Sequence, residues 1–268
     1  MLYLALPALV LARRSGLHLG AGTLLPISMT WLQLGLVALA VWGLGERFGW
    51  SRATRAALVL TAGFGNTSFV GWPLVEAFLG PSALPTAIVA DQLGSFVAVS
   101  TAGLAVAAWG AGESVSASRV AASLARFPAL PALVLGALAA DAPLPVLDDV
   151  LERVGSLLTP LALLSVGFRL ERTAPDQAGP LLHGLLLKLV LVPAALLAIY
   201  LLAGVPHGMP LRATVLEAAM PPMITSAILA ADRGLEPGLA RAMVGVGIPI
   251  GVLTAWSWSL LLERLIGA

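Results

Sequence analysis

The sequence predicts an all-α polytopic membrane protein, on three observations. Of the 268 residues, 59% are hydrophobic and only 11% charged, whereas a soluble domain is about a quarter charged. Mean hydropathy is +0.95, and apolar runs of 18 or more residues, long enough to cross a bilayer, recur along the chain. Two of these runs are interrupted near their middles by Gly, Pro and polar residues, and the two run in opposite senses across the membrane. Interruptions at matching places in oppositely oriented halves predict inverted five-helix repeats. Nine helices are present of an expected ten.

Composition also narrows the function classes. A net charge of +1 and a pI near 8.3 predict no nucleic-acid partner. Without cysteine there is no disulfide, thiol catalysis or thiolate metal site. His18, His183 and His207 are scattered, so neither a metal nor another cofactor is expected. The connecting loops are brief, and residues 1–268 read as a single membrane domain.

The first span, Met1 to Ala12, ends at Arg13-Arg14 and lacks a cleavage site, so it is read as a helix and not a signal peptide. Twelve residues reach roughly 18 Å against a hydrocarbon core of about 30 Å, which makes it a partial span. Eight segments follow: Ile27–Gly45, Ala56–Leu79, Thr86–Gly110, Phe127–Ala140, Val154–Phe168, Leu181–Ala203, Ala213–Ala231 and Ala242–Leu262. Turn residues or charges bound them, among them Gly80-Pro81, Gly110-Ala-Gly112, Asp148-Asp149 and Gly204-Val-Pro206. Alternating sides then collect nine arginines (47, 52, 55, 119, 126, 169, 172, 233, 241) against five (13, 14, 153, 212, 264). The positive-inside rule puts the first group and Met1 in the cytoplasm and the C-terminus outside.

The first interruption is Gly63-Phe-Gly-Asn-Thr-Ser-Phe-Val-Gly-Trp-Pro73. Gly71 and Pro73 weaken the helical ladder, and Asn66, Thr67 and Ser68 carry polar groups that hydrocarbon cannot solvate. Such backbone survives at membrane depth only against protein or a water-lined cavity. Freed N–H groups and these side chains would bind a carboxylate or an ion; the alternative is that they bond the preceding turn and join two helices. The counterpart is Glu217-Ala-Ala-Met-Pro-Pro-Met-Ile-Thr-Ser226, with Met220, Pro221 and Pro222 at its centre and Thr225 and Ser226 as its hydroxyls. The first short helix, Leu4–Leu11, matches the proline-containing stretch Leu158–Gly167 two segments ahead of that second break.

Five ionisable or amide side chains lie within or beside spans. Asp91-Gln92 sits among apolar residues, where a carboxylate serves as proton carrier, ion ligand or partner of the broken helix, or else lies at the outer interface. Glu217 is open to the same alternatives, while Glu76 is expected at the interface. Lys188, the single lysine, is expected to snorkel to the inner interface, the alternative being to neutralise an anionic substrate or an acid such as Asp91. Trp31, Trp50, Trp256 and Trp258 suit interfacial belts.

The run Asn66-Thr-Ser-Phe-Val-Gly-Trp-Pro73-Leu, followed by Asp91-Gln-Leu-Gly94, resembles the auxin efflux carrier family. Pro160-Leu-Ala-Leu with Gly167, Ala219-Met-Pro221 and Ala230-Ala-Asp-Arg-Gly234 continue the resemblance in order over essentially the whole chain. It implies a fold similar to bile-acid/sodium symporters, in which two broken helices cross where a substrate carboxylate binds. Scaffold helices would lie at about 1–14 and 127–168, and transport-domain helices at about 27–110 and 181–262. Leu4–Arg14 would be the family's second helix, leaving the first absent; the short opening span and unequal halves favour a start further upstream over a shortened transporter.

The function expected is secondary transport of small organic anions such as malonate, malate or auxin-like carboxylates across the cell membrane by alternating access. Sodium or protons are candidate coupling ions through Asp91, Gln92, Glu217 or Lys188, and a homodimer is a possible assembly. A channel or transporter-like sensor is the alternative. An intramembrane enzyme has less support, since paired intramembrane aspartates and a Gly-x-Ser-Gly turn with a membrane histidine are both missing.

Overall fold

A computed structural model describes residues 4–12, 20–114, 117–118, 121, 129–139, 145–157, 161 and 177–267. Among these the fold is helical throughout, with no strands. In order, the helices are α1 (Ala5–Ala12), α2 (Leu24–Phe48), α3 (Arg52–Gly63), α4 (a wide π turn over Thr67–Gly71 running into Trp72–Leu79), α5 (Pro81–Ala111), α6 (Ala129–Leu138), α7 (Pro145–Ser156), α8 (Ala178–Leu202), α9 (Met209–Ala218), α10 (Ile224–Asp232) and α11 (Pro237–Ile266). Four of them, α2, α5, α8 and α11, are long and apolar enough to span a bilayer unaided. The predicted spans 56–79 and 213–231 are each split into two half-helices, α3/α4 and α9/α10.

Local chemistry accounts for the boundaries. The Ser51 hydroxyl caps α3 by accepting from the Thr54 N–H at 3.0 Å. Gly49 and Gly112 close α2 and α5 in the left-handed conformation, at φ of 65° and 77°. Asp148-Asp149, expected to mark a boundary, instead lie inside α7, with Asp148 in the first turn, where an acidic side chain complements the helix dipole. Residues 158–160 and 162–168, the rest of the expected Val154–Phe168 span and most of the Leu158–Gly167 match, lie outside the described residues.

α1 packs between α6 and α7, closely enough that a Cβ on Gly155 would stand 2.9 Å from the Leu9 Cα. The other helices pack around the two breaks. The helix ends expected on the arginine-rich side meet there: Arg55 pairs with Glu46 (2.8 Å), Arg233 with Glu113 (2.7 Å), and Glu236 accepts from Thr54 and Gln177.

Candidate functional site

The breaks cross and are joined through their backbones. After α3 ends at Gly63 the chain is extended through Phe64, whose carbonyl accepts from the Met223 N–H at 3.1 Å. One step on, the Asn66 N–H donates to the Pro221 carbonyl at 2.7 Å, and Gly65 and Pro222 form an antiparallel bridge. Each extended segment thus supplies what the other lacks, because groups freed from a helix within a membrane must be satisfied by protein. Proline suits the second segment: it has no N–H to strand, and its carbonyl is the acceptor used.

Glycines on α11 make room for this crossing. A Cβ on Gly251 would lie 2.5 Å from the Pro221 Cβ, and one on Gly247 would lie 2.8 Å from the Pro222 Cδ. A small-xxx-small pair on α11 therefore receives the two prolines.

The crossing has two chemically different sides. α4 and α10 begin there, so their N-terminal N–H groups face one side. On that side a cavity of about 370 Å³ is lined by Ser68, Asp91, Ser100 and Thr225, together with the apolar Phe69, Phe96, Val99, Leu104, Met223 and Leu229. Asp91 is 2% exposed and accepts from the Thr67 hydroxyl and from Gln92 Nε2, each at 2.5 Å. It stands on a π turn of α5, Ala90–Ser95, where the widened backbone displaces side chains from the ordinary helical register.

On the other side α3 and α9 end. The buried Gly63 carbonyl at the end of α3 accepts from Gln33 Nε2 at 2.9 Å, and the Ala218 carbonyl accepts from Lys188 Nζ at 2.8 Å. A cation at a helix C-terminus opposes the backbone dipole there. Lys188 also sits on a π turn, Leu187–Leu191 of α8, and is fully buried. The expected snorkelling is therefore corrected: the stem leads inward to the crossing, where an acceptor left free by the break satisfies it. Glu217 is fully buried beside it, and neither carboxylate oxygen has a hydrogen-bond partner among the described residues.

Of the residues singled out in the sequence, Ser68, Asp91 and Thr225 line the cavity. Thr67 and Gln92 support Asp91, and Asn66 caps α4 through its side-chain oxygen, which accepts from the Phe69 N–H at 3.3 Å. The Asn66 amide nitrogen is buried without a partner. Gly71 gives Glu217 room, because any Cβ there would clash with the carboxylate. Pro73 opens the regular part of α4, Met220 is fully buried, Pro221 and Pro222 carry the crossing, and Ser226 bonds the Met223 carbonyl at 3.0 Å. Glu217 and Lys188 lie outside the cavity lining. Trp258, expected at an interface, is buried and donates to the Leu189 carbonyl at 2.9 Å.

Sequence reasoning missed Phe69, Phe96, Ser100, Met223 and Leu229 as cavity residues, and Gly247 and Gly251 as the seat of the prolines. Only the Gly-x-x-x-Gly spacing in α11 could have signalled any of these.

A multi-pass helical bundle with two half-helices meeting at a partly open cavity has the architecture of a membrane transporter. Residues 1–259 match the model of the membrane transport protein family, and the chain belongs to that family, as the Asn66–Pro73 resemblance led us to expect. It is similar to an uncharacterized transporter of Methanothermobacter thermautotrophicus, with 28% identity over 211 residues covering 76% of this chain and 67% of the relative.

Proposed function

We propose that the protein is a secondary transporter of small organic anions, such as malonate, malate or auxin-like carboxylates, working by alternating access in the cell membrane. The observation that carries this reading is the crossing itself: two half-helices begin at one cavity, with Ser68 and Thr225 at their first turns. The first-turn N–H groups and the positive ends of two helix dipoles favour a carboxylate there. Ser68, Ser100 and Thr225 add hydroxyl donors, and the apolar lining receives the carbon body of the substrate.

The chain's own residues keep this site rigid. Two backbone hydrogen bonds and the contacts of Gly247 and Gly251 tie the extended segments into one unit. Movement then exposes the cavity to one face or the other by shifting that unit as a body, with the α2–α5 and α8–α11 helices as the moving part and α1, α6 and α7 as the scaffold.

Uptake of labelled malonate, malate and indole acetate into proteoliposomes tests the proposal. The expected result is saturable uptake of at least one of them, reduced at least about tenfold by Asn66→Ala combined with Pro221→Ala, in line with losing more than about 1.4 kcal/mol of binding. Unchanged transport in the double variant would remove the crossing from the mechanism.

A further inference from the structure

Glu217 is the buried titratable group that the binding site leaves unexplained. It is the penultimate residue of α9, fully buried, and both carboxylate oxygens are without hydrogen bonds among the described residues. The dipole of its own helix is negative at that end. Buried carboxylates that serve structure are hydrogen-bonded or paired, and among the described residues no hydrogen bond holds the Glu217 carboxylate.

Its surroundings are few. The charges that act on it are Lys188, from the π turn of α8, and Asp91, from the π turn of α5. Lys188 Nζ and the Glu217 carbonyl both lie close to Gly65 on the first break, 3.2 and 3.3 Å from where its Cβ would be. From α2 the facing groups near the breaks are the neutral Gln33 and Thr30. The remaining charges on packed elements stand toward helix ends: Glu76 on α4, Arg212 on α9 itself, Glu46 and Arg47 on α2, and Arg241, Glu263 and Arg264 on α11.

We propose that Glu217 is the proton site of this transporter, loading a proton together with an anion in the cavity; this rests on the transport reading above. In the loading step one carboxylate oxygen takes a proton from hydronium reaching the crossing, leaving water, and becomes O–H; on the opposite face the same bond breaks and the proton passes to a water molecule as hydronium. With Asp91, Glu217 and Lys188 all ionised, the trio carries one net negative charge, and protonation of Glu217 brings it to zero. An anion beside Asp91 meets less repulsion once Glu217 is neutral. By linkage the anion must then favour the proton by the same factor, so the two move in the same direction. Lys188 donates to the Ala218 carbonyl at the end of α9 and lies beside this exchange without lining the cavity.

Infrared pH-difference spectroscopy on the purified wild type and E217Q reads the site without any substrate. A protonated-carboxyl band that titrates in the wild type and is missing in E217Q is expected; no band dependent on Glu217 would overturn the proposal. In proteoliposomes, acid on the substrate side should raise wild-type uptake about fivefold or more, while E217Q keeps substrate exchange and shows no response to the gradient. A gradient response retained in E217Q, or absent from the wild type, would also overturn it. If no substrate is exchanged by the wild type, the transport reading fails, and the infrared band still decides whether Glu217 binds a proton.

Discussion

Thr67 and Asp91 show how single side chains hold the site. Thr67 is the first residue of α4, and its hydroxyl spans to Asp91 on α5, joining the broken helix to its neighbour at 2.5 Å. Thr67→Val keeps the shape and removes the donor, leaving a buried carboxylate short of one partner. The expected cost is about 1–3 kcal/mol, seen as a lower unfolding temperature in detergent, with Thr67→Ser close to wild type. Equal stability of the valine variant would show that Asp91 does not rely on this bond. Residues of this kind were legible because polar groups are rare in spans and stand out. Lys188 was read wrongly for a definable reason: a four-carbon stem reaches either an interface or an interior acceptor, and its direction depends on the Ala218 carbonyl that the second break sets free. Trp258 was misread in the same way, since an indole N–H suits a headgroup or a buried carbonyl equally well.

Among the elements, the breaks were legible and their seat was not. Gly, Asn and Pro crowd into 63–73, and Pro221-Pro222 into 217–226, so each interruption follows from backbone chemistry. That the two segments bond to each other is a tertiary fact; periodicity carries no trace of it. The π turns of α5 and α8 are likewise silent in the sequence, although both carry ionisable residues. A repeat was also passed over: Ala5-Leu-Pro-Ala-Leu-Val-Leu11 recurs as Ala129–Leu135, in the helix packed beside it. Two outcomes follow for the elements. Gly251→Ala places a methyl against Pro221 and should destabilise by about 1–3 kcal/mol, while Gly43→Ala, with open space around it, should be neutral or stabilising by up to about 1 kcal/mol. Thermal unfolding of both variants checks this, and equal shifts would argue against tight seating. Replacing Pro221 and Pro222 together with Ala lets α9 and α10 join as one helix. The protein should still insert but lose uptake, and full uptake by that variant would contradict the crossing as a functional device.

At the scale of the whole molecule, the fold class and family were legible because composition and span length are set by the bilayer. What moves against what is a property of the assembled bundle. In the proposed mechanism α1, α6 and α7 stay fixed while the crossing moves, and alternating access requires its cavity to open to one face at a time. The chain contains no cysteine, so a single thiol introduced by Thr225→Cys reports on the cavity without background. In sealed proteoliposomes, membrane-impermeant thiol reagent added to one face at a time, with and without the transported anion, tests the central claim most directly. Labelling that the anion slows at Thr225→Cys, and does not slow at a control Val59→Cys in the separate cavity of about 180 Å³ near Trp42 and Trp109, is the predicted result. Labelling at Thr225→Cys that proceeds at the same rate with and without saturating anion would contradict it.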